Sequence, residues 1–255
     1  MKKAVALLLI LTAPLCGPRT APAAPAGGDV SSREILDHVD DLFRGNSSYG
    51  IFSMKVVTAH YSREMRMEGW SRGKDHSLIR ILAPSKERGT ATLKAGRDIW
   101  NYLPKVRRVI KVPSSMMGGS WMGSHFTNDD LVKESRMADD YDHEVTFRSE
   151  REGRAVIDLT LVAKPEAAVV WGKVVVTVEG EGWMPLRVEY FDEDLEMTRR
   201  MVYSDKRELG GRMLPVRMKV IPTDKPAEYT EIVYEEMEFD LDLPEDVFTL
   251  RNLQK

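Results

Sequence analysis

The residues able to do covalent or metal chemistry are few and poorly spaced for it. Ser124 and His125 are adjacent, and neighbours on a strand point to opposite faces, so they do not meet as nucleophile and base. The sequence has no G-x-S-x-G elbow, no H-E-x-x-H pair and no glycine-rich phosphate loop after a strand. Asp139, Asp140, Asp142, His143 and Glu144 form an acidic patch, but their spacing fits no calcium loop. Asp192-Glu193-Asp194 reads as a hairpin tip, and clustered carboxylates alone do not make an acid–base pair. The expectation is a protein with no catalytic residues, no metal and no cofactor.

The chemistry the chain does carry is apolar. Between Pro113 and Phe126, the side chains of Met116, Met117, Trp121, Met122 and Phe126 lie among Gly118, Gly119, Gly123 and several serines. Glycines permit backbone movement while the large apolar groups resist water. The segment is either a flexible flap at a cavity mouth or a fixed plug that completes the core. Met54, Met65, Met67, Met201 and Met218 suit either a pocket for varied apolar chains or ordinary core packing. Trp100 and Tyr102 share one strand face, where cavity lining and plain core are equally open. Lys105, Arg107, Arg108 and Lys111 cluster around a turn and read as a charged strand edge or a docking site for an anionic partner. With no interleaved exposed aromatics, they do not suggest nucleic-acid binding.

One helix and many strands must position these groups. Ser31 and Glu34 form a capping box, after which Ile35, Leu36, Val39, Leu42 and Phe43 recur at helical spacing up to Gly45. Alternating apolar and polar residues mark strands over 154–161, 173–179, 186–190 and 214–220. Rougher runs lie at 51–60, 63–71, 77–82, 90–94, 98–103, 106–112, 143–149, 196–204 and 228–240. Thr127 with Asp130 predicts a short helix through about Glu134. The pattern is a strongly curved antiparallel sheet, sandwich or barrel, with the amphipathic helix inside the curve.

The N-terminus predicts export. Lys2 and Lys3 precede an apolar core from Ala4 to Leu11, too short to span a bilayer, and A-x-A sites end at Ala23 and Ala26. A signal peptide over 1–23 removes Lys2, Lys3 and Arg19, taking the net charge from −3 to −6. It also removes Cys16, the single cysteine, whose alternative role as a lipidated N-terminus is disfavoured by the bulky Leu15. The remainder, 24–255, reads as one soluble domain.

The stretch Lys94-Ala95-Gly96-Arg97-Asp98-Ile99-Trp100-Asn101-Tyr102-Leu103-Pro104 resembles the strand–turn–strand signature of LolA-like outer-membrane lipoprotein-sorting proteins. Phe52-Ser53-Met54-Lys55-Val56, Gly69-Trp70 and the tail Leu243-Pro244-Glu245-Asp246-Val247-Phe248 agree in order, and 120–131 resembles a motif of one branch of that family. The resemblance implies an incomplete, half-open antiparallel β-barrel of about eleven strands, with an N-terminal helix and short helices covering the concave face. It further implies a hollow that holds acyl chains of lipoproteins or other lipids on their way to the outer membrane. An inner-membrane transporter and an outer-membrane acceptor would be its partners, with no nucleic acid and a monomeric state. The expected ligand-binding set is Met54, Met65, Met67, Trp70, Trp100, Tyr102, Met116, Met117, Trp121, Met122 and Phe126. In Trp70-Ser71-Arg72-Gly73-Lys74 the sequence departs from the family: Arg72 stands one position from the family's cavity arginine, and a one-residue slip reverses a strand side chain's face, so the resemblance does not carry that role to Arg72. A sensing or assembly module of the same fold, and a lipid-binding accessory of an efflux-type transporter, are the alternatives.

Overall fold

A capping box starts the first helix, α1 (Ser32–Arg44). Ser31 Oγ accepts from the Glu34 amide at 3.2 Å while Glu34 Oε2 accepts from the Ser31 amide at 2.9 Å. Gly45, at φ 56°, ends it. The computed structural model describes residues 30–133, 137–167 and 169–255. The leader expected over 1–23, its Cys16 and the Glu134 end of the second helix lie outside the described residues.

Among the described residues thirteen strands follow in one antiparallel sheet. They are β1 (Ser47–Val57), β2 (Ser62–Arg72), β3 (His76–Ala83), β4 (Ala91–Ala95), β5 (Asp98–Leu103), β6 (Arg108–Lys111), β7 (Tyr141–Arg151), β8 (Arg154–Ala163), β9 (Lys173–Glu179), β10 (Pro185–Phe191), β11 (Met197–Leu209), β12 (Arg212–Pro222) and β13 (Tyr229–Phe239). Their spatial order is β6-β5-β4-β3-β2-β1-β13-β12-β11-β10-β9-β8-β7. Two sequential meanders are therefore zipped together by β1 against β13. The ends, β6 and β7, do not pair, so the mainly-β, half-open architecture holds, with thirteen strands where the family resemblance implied about eleven. Register shifts at Ile51/Phe52, Arg66/Met67, Val145/Phe147 and Tyr190/Phe191 bend the sheet. The edge strand β7 exposes Asp142, Glu144 and Arg148, charges that discourage pairing with another chain.

The chain between the two edges crosses the concave side. It holds two 3₁₀ turns, Ser114–Met116 and Trp121–Gly123, then α2 (Asn128–Lys133) and α3 (Met137–Asp140). Thr127 caps α2 as expected: its amide donates to Asp130 Oδ2 at 2.6 Å, and its hydroxyl accepts from the Asp130 amide at 3.1 Å. The convex side has its own cover. A 3₁₀ turn (Glu245–Phe248) and α4 (Leu250–Leu253) bring Phe248 and Leu253 onto Leu78, Ala91, Leu93 and Tyr102. One sheet thus separates two apolar layers.

Candidate functional site: a cavity under the first helix

Alternation along β1, β2 and β3 lines up the inward positions in rows. These are Ser48–Ser71–Ser77, Gly50–Gly69–Ile79 and Phe52–Met67–Ile81. Big side chains fill one end of the concave face, while serines and glycines leave the other end hollow. The two glycines face each other across the β1–β2 ladder. A Cβ at Gly69 would meet the Phe52 ring at 3.2 Å, and one at Gly50 would collide with the Met237 thioether. Without side chains, the two positions let Phe52 and Met237 lie directly against the backbone of the floor.

Above that floor lies a cavity of about 230 Å³, roofed by α1 through Leu36, Val39 and Phe43. The C-terminal meander supplies Val176, Val188, Tyr190, Tyr203, Met218, Ile232 and Tyr234, and the crossing segment supplies Trp121 and Phe126. Phe43 stacks at 5.6 Å on Tyr234, which in turn lies 5.7 Å from Phe52. Polar groups gather where α1 meets β1–β3. Lys74 Nζ donates to Asp37 Oδ1 at 3.1 Å, Arg44 Nε to Asp40 Oδ1 at 3.1 Å, and Ser48 and Ser71 share a hydrogen bond of 2.7 Å. An apolar chamber with a charged rim is the shape an amphiphile requires.

A buried ion pair stiffens the wall. Arg199, from β11, donates to both carboxylate oxygens of Asp130 at 2.8 and 2.6 Å, and to the His125 carbonyl at 2.8 Å. Its guanidinium lies 4.4 Å from the Trp171 ring centre and 4.3 Å from that of Tyr190. Both charged side chains are under a tenth exposed. Nearby, burial pushes the Tyr141 phenol well above its ordinary pKa, with the Asp129 charge adding to it.

The segment 113–126 is tied down in the manner of a plug. Trp121 Nε1 donates to Thr92 Oγ1 at 3.1 Å, and Tyr61 donates to the Gly123 carbonyl at 2.7 Å. Arg63 donates to the Met122 carbonyl at 2.9 Å, and the His125 amide to Thr230 Oγ1 at 2.9 Å. With Arg199, these bonds anchor it to β2, β4, β11 and β13. Ser124 and His125, set aside as a catalytic pair, serve here. Ser124 Oγ donates to the Trp121 carbonyl at 2.7 Å, and His125 Nδ1 lies 2.8 Å from Thr230 Oγ1. The acidic patch likewise fastens α1: Asp139 pairs with Arg33 at 2.7 Å, and His143 Nδ1 lies 2.7 Å from Ser32 Oγ. At the hairpin tip, Asp192 Oδ1 accepts from the amides of Asp194 and Glu196 at 3.1 and 3.0 Å.

Of the apolar residues singled out from sequence as pocket candidates, Trp70, Trp121, Phe126 and Met218 border the cavity. Trp70 does so mainly through its strand, because its ring turns to the convex face against Tyr49 at 5.4 Å. Met54, Met65 and Met67 are buried on the concave face, at the end that the plug covers. Met122 borders a second, outer hollow, Met117 is half-buried and Met116 is exposed. Trp100 and Tyr102 fall away from the cavity, in the convex layer beneath the C-terminal tail. Arg72 also faces outward: it donates to the Leu243 carbonyl, and to that of Pro244 at 3.2 Å, and sits 5.3 Å from the Phe248 ring centre. Arg72 therefore points away from the cavity.

The comparisons with known proteins fit this architecture. No curated protein matches the sequence. A protein-family model that carries only the description "uncharacterized protein" matches residues 73–255. Over 87% of this chain and 97% of the other, the structure superposes on a DUF1329 family protein from Desulfovibrio piger, with TM-score 0.79 and 21% identity. A LolA superfamily protein from Nitrosomonas europaea matches 88% of this chain and 99% of its own, with TM-score 0.74 and 22% identity. The chain belongs to the family of that model, and its fold is LolA-like. A third structure, of a domain named for outer membrane lipoprotein sorting and from Vibrio parahaemolyticus, gives TM-score 0.77 at 22% identity, over 88% of this chain and 98% of that one.

Proposed function

We propose that this LolA-like protein is exported to the periplasm and carries acyl chains of lipoproteins or other lipids in the cavity under α1. The supporting observation is the chamber itself: aliphatic and aromatic side chains over a floor of glycine and serine, opening at a rim of Asp37, Asp40, Arg44 and Lys74. Burial of an acyl chain is worth about 0.8 kcal/mol per methylene, so a long chain supplies ample affinity. At about 230 Å³, the cavity is smaller than the roughly 300–1,000 Å³ usual for small-molecule sites. Loading therefore requires α1 to lift from the sheet, the plug being held by more bonds to the strands. An amphiphile would keep its polar head at the charged rim and its tail over Gly50 and Gly69.

The test is to fill the floor. Gly69→Leu places an isobutyl group in the chamber, and its overpacking cost is about 1–3 kcal/mol. Displacement of a fluorescent fatty acid should show at least a tenfold weaker Kd for Gly69→Leu than for wild type, with the β-sheet circular dichroism retained. Equal affinity in the two proteins would remove the cavity from the account.

A further inference from the structure

The hairpin β5–β6 has no part in the cavity, yet its surface is unusual. From Ile99 to Asn128, thirty consecutive residues contain no carboxylate, in a chain with 40 acidic side chains. The cations of this stretch, Lys105, Arg107, Arg108 and Lys111, crowd the hairpin. Lys111 pairs with Asp98 at 2.7 Å, whereas Lys105, Arg107 and Arg108 are exposed and without an ion pair among the described residues. Large apolar groups accompany them. Leu103 is 38% exposed, Val106 59%, Ile110 43% and Met116 58%, which makes four of the nine exposed large hydrophobic residues described. Leu103, Pro104 and Val106 also wall the outer hollow with Met122 and Lys86.

Charge on an edge strand has a protective use, and β6 is an edge. Protection explains the lysine and arginines; it does not explain Val106 at the tip of the turn or Leu103 and Ile110 beside it. Apolar tips ringed by cations match the layered chemistry of an anionic bilayer surface, acyl region beneath and phosphate above. We propose that the β5–β6 hairpin is a membrane-docking element. Val106 and Leu103 enter the interface, and Lys105, Arg107 and Arg108 contact anionic lipid headgroups. The rest of the surface, net acidic, is repelled by the same bilayer, so contact is confined to this corner and the molecule docks in one orientation. This inference stands independently of what the cavity holds.

Co-sedimentation of the full chain with vesicles tests it, using phosphatidylcholine alone and equal parts phosphatidylcholine and phosphatidylglycerol of identical acyl composition. Cavity uptake would treat the two alike, so any difference reports the headgroup charge. Wild type should sediment with the anionic vesicles only and be released by raised salt. Val106→Asp and the double variant Lys105→Glu/Arg108→Glu should each weaken that binding at least tenfold while keeping the wild-type Tm. No binding to anionic vesicles at low salt would overturn the proposal, as would variants that bind like wild type. Anionic vesicles ignored alongside capture of an acidic polypeptide would assign the patch to a protein partner and overturn it equally.

Discussion

Arg199 illustrates how a buried charge is tolerated: two bonds to Asp130, one to a carbonyl, and aromatic faces from Trp171 and Tyr190. Removing one member strands the other in a buried site. Arg199→Met should therefore cost about 3–5 kcal/mol in a denaturant titration, and the double variant with Asp130→Leu should recover part of that loss. Asp240 works at the surface. The Asn46 amide, and then Arg212, hold its carboxyl below the ordinary value of 3.8. A depressed carboxylate stabilises the fold above its unfolded pKa, and the contribution disappears as pH falls through the lower folded value. Asp240→Asn should thus melt below wild type at pH 7, with the two curves converging on acidification below 3.8.

At the scale of elements, α1 and the crossing segment divide the roles of roof and plug. Trp121 is 2% exposed and hydrogen-bonded, so Trp121→Ala should cost about 3–5 kcal/mol. Met122→Ala, at the outer hollow, should stay within about 0.5 kcal/mol. A mobile flap would instead give a small loss for both. α1 is tied at the rim by the half-exposed Asp37–Lys74 pair, worth at most about 1 kcal/mol. Asp37→Ala should leave Tm nearly unchanged and speed uptake of a fluorescent fatty acid in stopped flow; an unchanged rate would mean that the helix is not the gate. The strands themselves were legible in the sequence. Thirteen alternating runs became thirteen strands, and the Ser31–Glu34 box became the helix start. Alternation assigns a residue to one of two faces but does not say which is concave. For that reason Trp100 and Tyr102, correctly paired on one face, end beneath the tail instead of in the cavity. The hollow was harder to foresee, because it is bounded by α1, both meanders and the crossing segment, which are far apart in sequence. Its signal was present all the same, as Ser48, Gly50, Gly69 and Ser71 interrupting inward apolar rows.

Among the described residues the molecule is an open sheet whose two meanders pair along β1 and β13, with the crossing segment bonded to both. Long-range pairing of β1 with β13 had no local signature, so the open topology came from family resemblance where periodicity stopped at sandwich or barrel. Acyl-chain carriage is the central claim, and native mass spectrometry of the exported chain, purified without detergent, tests it most directly. The expected result is a one-to-one adduct whose extraction yields acyl lipid, reduced or lost in Gly69→Leu. A protein that emerges at its bare mass and refuses added lysolipid and fatty acid would contradict it.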